Sequence, residues 1–333
     1  MPRTNVGVLW YYKAQDLLYT GFAGDTALFV KEQDPSPPLN VWTLKVDGKG
    51  SGAWTKALGS DDQAFSNMVR TTRASIAQGP DTGWVLNGQE TSPGPNQFVS
   101  GMIEVDMGSN KFTNLSTTDA FPQPFQTGRL QFVPTWGSKG ILVSFGGSTK
   151  SNEWPSDNSI PVYDIANQTW VNQTVTGDNP RWRNWFCAEG IQSPTGTYEI
   201  LMYGGYDAMG TDAVAYDDIH ILTLPAFHWI RVPYDARNPR GGHTCNAAGG
   251  AQILVVGGSD PSVTTEVSSV PANQNLAPWW QQDQMTLSTP DTWTKGIGVF
   301  DMTNMTWKDR YEANPAPYRQ SDLVSQYYQQ AGR

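Results

Sequence analysis

The sequence predicts an all-β fold, and three observations carry that prediction. Only 16% of the 333 residues are charged, well below the roughly 25% of ordinary globular chains. The chain holds 33 Gly, 23 Pro and 14 Trp, a turn-rich and aromatic-rich composition that disfavours helix bundles, coiled coils and disorder. The third observation is a repeated cassette. A short apolar strand ends in a glycine pair or a near version of one, and an alternating strand and a single aromatic follow it.

Five copies align. The glycine-terminated strands are Leu17–Gly24, Trp84–Gly88, Ile141–Gly147, Ile200–Gly205 and Ile253–Gly258. The alternating strands are Val41–Asp47, Met102–Asp106, Val162–Asp164, Ile219–Leu224 and Ile297–Asp301, and the aromatics after them are Trp54, Phe112, Trp170, Trp229 and Trp307. Glycine permits a positive φ or a close backbone approach where the chain leaves the sheet, and the aromatic fills the wedge between neighbouring sheets. A repeat of roughly 50 to 65 residues fits the four-stranded blade of a propeller at the kelch period of about 50. The expected architecture is a single domain over residues 1–333, a kelch-type β-propeller with five recognisable blades and room for an incomplete sixth. Its blade cassettes are about 6–58, 70–117, 128–176, 180–234 and 239–311, with a closing strand over 317–330 that contains Leu323-Val324-Ser325-Gln326-Tyr327-Tyr328.

Junctions between cassettes repeat as well. Pro180-Arg181, Pro239-Arg240 and Pro317-Tyr318-Arg319 open segments expected to be innermost strands, joined more loosely by Arg70 and Arg129. These arginines either ring one end of the axial channel or tie each blade to the next through backbone carbonyls. The last cassette contains a long loop from Ser259 to about Lys295 with Trp279, Trp280, Met285 and Trp293. Its aromatic content argues against disorder, so it either folds over one face as the wall of a pocket or packs against the outside.

The formal charge of −9 leaves no basic stripe, so nucleic acid is not an expected partner. No apolar run approaches the roughly 18 residues of a membrane span, and the first residues lack the basic end and apolar core of a signal peptide.

These residues resemble the kelch-repeat, galactose-oxidase-like propellers of filamentous fungi, many of them secreted or cell-surface proteins. The resemblance covers nearly the whole chain. Its most specific segments are Gly7-Val8-Leu9-Trp10-Tyr11-Tyr12, Trp42-Thr43-Leu44 with Gly52-Ala53-Trp54, Tyr163-Asp164 to Trp170, Leu224-Pro225-Ala226-Phe227-His228-Trp229, Gly242-His243-Thr244-Cys245, and Gly296-Ile297-Gly298-Val299-Phe300-Asp301 to Trp307. Proteins of that group carry a further N-terminal blade after a signal peptide, and this sequence begins where their second blade would. The resemblance therefore implies a secretory-pathway location, together with either a missing leading blade or a ring of fewer blades.

Galactose oxidase itself needs copper held by tyrosines, a cross-linked Cys and two histidines. The three histidines here, His220, His228 and His243, fall at different places in the repeat, so no metal and no cofactor is expected. Cys187 and Cys245 stand at matching places in consecutive repeats, each shortly after a Pro-Arg. A disulfide is plausible there, with buried free thiols as the alternative; a nucleophilic cysteine is disfavoured because no histidine stands at a usable spacing. Asn114, Asn167, Asn172 and Asn304 begin glycosylation sequons, two of them in the turn before Trp170 and Trp307, although Ser, Thr and Asn are common enough for sequons to arise by chance. Nucleotide-binding glycine motifs, a phosphate loop and a Gly-x-Ser-x-Gly elbow are all missing from the sequence. The remaining acids near glycine pairs or on inner strands are Asp25, Glu90, Asp207, Asp260 and Glu189. Period two puts Trp185, Cys187 and Glu189 on one strand face, where Glu189 is either a proton-transferring carboxylate with a raised pKa or an Arg-paired, solvated one.

Three functional readings follow. Some fungal members of the resembled group act in secondary metabolism as hetero-Diels–Alder enzymes. That likeness implies a cofactor-free enzyme joining or cyclising small apolar organic substrates in a snug cavity. Trp10, Tyr11, Trp185, Tyr206, Trp279 and Trp280 would line the cavity, Arg181, Arg240 and His243 would donate hydrogen bonds, and Glu189 would move a proton. The second reading is a non-catalytic, secreted or cell-surface glycoprotein module that binds polysaccharide or protein through its blade loops. The third is an intracellular scaffold. In each case the chain is expected to act as a monomer.

Overall fold

A computed structural model describes residues 7–22, 40–58, 63–66, 68, 71–90, 97–150, 158–207, 214–235, 238–260 and 291–332. The all-β class holds. Each of the five cassettes forms one four-stranded antiparallel meander of the propeller-blade type. The first sheet is β1 (Val8–Tyr12), β2 (Leu17–Gly21), β3 (Val41–Val46) and β4 (Gly52–Leu58), paired in that order. After a short helix α1 (Gln63–Ser66), the second cassette contains β5 (Thr71–Thr72), β6 (Ser75–Gln78), β7 (Thr82–Leu86), β8 (Gln89–Glu90), β9 (Gln97–Phe98), β10 (Met102–Asp106) and β11 (Lys111–Leu115). Its blade has the order β6-β7-β10-β11, and the short strands pair separately as β5-β8-β9. The third cassette runs through β12 (Phe125–Gln126), β13 (Arg129–Val133), β14 (Ile141–Phe145), β15 (Ser148–Thr149), β16 (Ser159–Asp164) and β17 (Thr169–Thr174), with blade order β13-β14-β16-β17 and a β12-β15 pair beside it.

The fourth blade is β19 (Cys187–Gln192), β20 (Tyr198–Tyr203), β21 (Ile219–Leu224) and β22 (His228–Arg231), with β18 (Thr176–Gly177) added parallel to β22. The fifth is β23 (Thr244–Ala247), β24 (Gln252–Val256), β25 (Ile297–Asp301) and β26 (Thr306–Lys308). The chain divides into two compact units, Met1–Pro155 with Ile160–Asn172, and Ser156–Ser159 with Gln173–Arg333.

Local chemistry explains why the cassette recurs. The aspartate closing a third strand accepts the backbone N–H groups of the turn it begins: Asp164 Oδ1 takes Ala166 and Asn167 at 2.9 and 3.0 Å, and Asp301 Oδ1 takes Thr303 and Asn304 at the same distances. This is the Asx turn that pins the hairpin into the fourth strand. The glycine pair ends the second strand because both positions have positive φ, 70° and 97° at Gly146 and Gly147, 66° and 90° at Gly204 and Gly205. A Cβ on the second glycine would also stand 2.6 Å from Gln126 O at Gly147 and 2.6 Å from Asn184 O at Gly205, so another backbone passes too close for any side chain.

The fourth-strand aromatics fill gaps as expected. Trp307 of the fifth blade meets Tyr203 of the fourth at 5.0 Å and Phe300 of its own at 5.3 Å between ring centroids. Trp170 sits 5.0 Å from Phe121 and from Tyr163.

The expected closing strand is corrected: residues 322–330 form helix α2 (Asp322–Gln330). Its β-forming residues Leu323, Val324, Tyr327 and Tyr328 recur at i, i+1, i+4 and i+5, one helical face, and Val324 is fully buried. Ser321 caps the first turn by accepting the Val324 N–H at 3.3 Å, and Asp322 places a negative charge there. In the second unit Tyr327 stacks on His228 at 3.9 Å, and the Tyr328 hydroxyl lies 3.1 Å from Thr223 Oγ1. Tyr318 and Gln320, just before the helix, donate to the buried Glu199 carboxylate at 3.2 and 3.3 Å.

Candidate functional site

The richest assembly of predicted residues lies in the second unit, where β20 leaves its sheet at Gly204-Gly205 and the approach to β23 passes. Backbone bonds from Gly205 N to Arg240 O and from Gly242 N to Trp185 O, each 2.8 Å, sew these segments together. Tyr206 lies against Gly241, whose missing Cβ leaves room for the ring at 2.6 Å. Trp185, Tyr206, Arg240 and His243 therefore meet at one end of the fourth and fifth blades. Trp185 and Tyr206 are half-buried, Gly242 is exposed, and Val214, which accepts the Asp207 N–H at 3.0 Å, is 43% exposed.

Beneath this surface two arginine clamps repeat. Arg240 is buried; its Nη1 donates to Gly257 O at 2.6 Å, its Nη2 to Asp291 Oδ1 at 3.0 Å, and its guanidinium lies 3.6 Å over the Trp293 ring. Arg183 makes the matching set one blade earlier, with Nη1 donating to Gly204 O at 3.1 Å, both Nη atoms on the Asp218 carboxylate, and Cζ 3.9 Å over Tyr216. A planar guanidinium suits this task because it satisfies a carbonyl, a carboxylate and an aromatic face together. Burial alone would raise the Asp218 pKa, but the bond and charge of Arg183 outweigh it and hold the carboxyl below its ordinary value.

The sequence pointed to the wrong arginine in the fourth blade. Arg181 is exposed, and its carbonyl accepts Arg183 Nε at 3.0 Å. Both Arg181 and Arg240 precede their edge strands rather than lying in them, and Arg319 leads into helix α2 with its side chain 72% exposed. Arg129 donates from Nη1 to its neighbour's carbonyl, Gly128 O, at 3.1 Å. Arg183, Asp218 and Asp291 escaped the sequence reading. The usable signal was positional: an aspartate stands shortly before the third strand of both blades.

Other expected site residues have structural tasks. Trp10 is 1% exposed and packs over Gly83, where a Cβ would lie 2.5 Å from its ring, so it belongs to the core and not to a cavity wall. Tyr11 is exposed, and its hydroxyl donates to Asp16 at 3.0 Å. Trp185 has φ of 56° and precedes β19, so the alternation that would align it with Cys187 and Glu189 starts only after it. Glu189 is half-buried and accepts the Gly190 N–H at 2.9 Å. Asp207 and Asp260 are half-buried, as is Glu90 in β8. Trp279, Trp280, Asp25 and Arg70 lie outside the described residues, as does most of the long loop. The end of that loop anchors on the Arg240 clamp through Asp291 and Trp293.

His220, on β21, is pushed down to about 4 by burial, against the opposing pull of Asp218, whose Oδ2 is 3.8 Å away. Asp217 accepts the Tyr234 hydroxyl at 3.1 Å and the Asn238 N–H, and burial first, then the Asp217 charge, raises the Tyr203 and Tyr234 hydroxyls far above the ordinary tyrosine range. All four sequon asparagines are exposed. Asn167 and Asn304, however, donate their amides to Asp164 and Asp301 at 2.8 and 3.0 Å.

Cys187 and Cys245 are joined in a disulfide that links β19 to β23, with Cα atoms 5.5 Å apart. His243 stands beside them: one ligand atom from each of the three residues lies within 4.8 Å of the others. The sequence reading found no histidine at a usable spacing from the cysteines, yet His243 lies next to them in the fold. Two residues apart on an extended chain, His243 and Cys245 point the same way, which a motif search for longer spacings overlooks.

Comparison with known proteins completes the picture. No protein-family model matches the chain. A kelch repeat-containing protein of the fungus Arthroderma benhamiae is 29% identical over 191 residues, 56% of this chain and 24% of that protein. Acyl-CoA-binding domain-containing protein 4 of Arabidopsis thaliana is 29% identical over 41% of this chain and 19% of its own length. The Rab9 effector protein with kelch motifs of Xenopus laevis is 25% identical over 48% of this chain and 44% of its own. The chain is built of kelch repeats. The match spans under a quarter of the fungal relative's length. Among the described residues, no helix is long and apolar enough to cross a membrane.

Proposed function

We propose that this kelch module is a non-enzymatic binding domain that recognises a protein partner through the loop surface formed by Trp185, Tyr206, Val214 and Gly242. The observation that carries this reading is a division of labour within the second unit. Arg240 and His243, expected to donate to a substrate, are buried and bonded to Gly257 O, Asp291 and Tyr203 O. The aromatics above them remain half-exposed beside an exposed valine. Rigid aromatics over a fixed polar base are what protein recognition uses for anchoring, whereas acid–base catalysis needs its acids and donors free to reach a substrate. Relatives named as Rab9 effectors with kelch motifs add support for protein binding.

The test is affinity capture by the full chain with quantitative mass spectrometry, comparing wild type with Val214→Glu and Trp185→Ala. A partner retained by wild type and lost from both variants, with unchanged thermal unfolding, supports the reading. Native mass spectrometry of the same preparations is the counter-test. A small organic molecule bound in stoichiometric amount, with no captured protein, would replace it by the cyclising enzyme of small apolar substrates.

A further inference from the structure

We infer that Cys187, Cys245 and His243 form a redox-gated zinc site: closed as a disulfide when oxidised, a three-ligand metal centre when reduced. The ligand set is chemically coherent, because two thiolates and one imidazole match the soft and borderline donors that zinc prefers. The three ligand atoms already lie within 4.8 Å of one another. The 5.5 Å between the Cα atoms of β19 and β23 lets the sulfurs open to the about 3.8 Å that tetrahedral Zn–S bonds of about 2.3 Å require.

One ring nitrogen of the histidine is already engaged. Its Nε2 lies 3.1 Å from Tyr203 O, and a carbonyl can only accept, so the neutral ring carries its proton on Nε2 and keeps the lone pair on Nδ1. A ligating histidine held through its other nitrogen by a backbone carbonyl is the usual outer-shell arrangement of metal sites. Gly242, next to His243, is exposed, and a Cβ there would meet nothing within 4 Å. Both cysteines are buried, Cys245 at 8% exposed and Cys187 at 1%, and Cys245 lies in β23, an edge strand of its sheet, so reduction proceeds from the Cys245 side.

The chemistry balances with a dithiol as reductant. One dithiol is oxidised to its own disulfide while the Cys187–Cys245 bond takes up two electrons and two protons to give two thiols. Zinc binding then expels two protons, one from each thiol, and forms two Zn–S bonds and one Zn–N bond.

The experiment uses the full chain, reduced with a dithiol under argon and freed of reductant, with near-UV circular dichroism to report the fold. Cobalt(II) alone is the probe. The expected result is one cobalt per reduced chain, with thiolate-to-cobalt charge-transfer absorption and tetrahedral ligand-field bands, displaced by one equivalent of zinc and absent from the oxidised chain. His243→Gln keeps an N–H for Tyr203 O but loses the imidazole, and should weaken cobalt binding by about tenfold or more. Cys245→Ala serves as the second variant and should halve the charge-transfer intensity. A folded, reduced chain without that absorption overturns the proposal. So does a His243→Gln protein with unchanged affinity and bands, or a chain that unfolds whenever the disulfide is reduced.

Discussion

Arg183 and Arg240 hold corresponding places in successive blades: each donates to the carbonyl of the first glycine of a pair, Gly204 or Gly257, and each grips an aspartate from the segment before the third strand. The clamp fixes the glycine turn from below while the chain above it presents side chains to solvent. Stability and surface geometry in this unit are thus coupled through two buried guanidinium groups.

Removing one clamp should be costly. Arg183→Ala leaves Asp218 largely buried without its cation, and unfolding in urea should show a loss of about 3 to 5 kcal/mol. Arg181→Ala, two residues away on an exposed side chain, should stay within about 0.5 kcal/mol of wild type. Equal losses from the two would mean that the clamp carries no special share of the stability.

The glycine pair of the fifth blade is asymmetric, and alanine should reveal it. Gly257→Ala meets nothing within 4 Å and has only its φ of 71° to strain, a cost of about 1 to 2 kcal/mol. Gly258→Ala, the second glycine of the same pair, adds a Cβ 2.8 Å from His243 Cβ and 2.9 Å from Gly241 O at φ of 79° and should lower the melting temperature distinctly more. The reverse order would show that backbone approach is not what selects the second glycine.

His220 makes the second unit acid-sensitive. Its pKa falls from 6.5 unfolded to about 4 folded, so the folded state binds fewer protons than the unfolded chain between those values. The stability tied to the neutral ring is complete above about pH 6.5 and declines as pH falls towards 4, by about 3 kcal/mol in total. His220→Gln should flatten the stability profile over that window, and an unchanged slope would assign it to other groups.

The cap of helix α2 can be tested directly. Ser321→Ala removes the acceptor for Val324 N–H and should cost about 1 kcal/mol, while Ser321→Asp should restore most of it. Chemical denaturation of the three proteins in parallel decides the matter.

Much of the blade was legible because its rules are local. Apolar alternation, Gly204-Gly205 and its counterparts, the aspartates closing third strands and the aromatics Trp170, Trp229 and Trp307 each act within a few residues of where they stand. Helix α2 was misread because Leu323-Val324 and Tyr327-Tyr328 satisfy strand preference and helical spacing equally, and only the Ser321 cap and the burial of Val324 separate the two. The candidate site was less legible. Trp185, Tyr206 and Arg240 were named from their positions in the repeat, but Arg183, Asp218 and Asp291 become a clamp only through bonds across long separations.

By itself the sequence determined the repeat, the all-β class and the composition of each blade, because period, turn chemistry and residue size are written in consecutive positions. Tertiary structure alone decided that Arg183 and not Arg181 is buried, that Trp10 is core, and that His243 stands beside the Cys187–Cys245 pair. Those outcomes depend on which strand lies next to which, and on the cost of leaving a buried charge or carbonyl unmatched, a cost that no single segment carries alone.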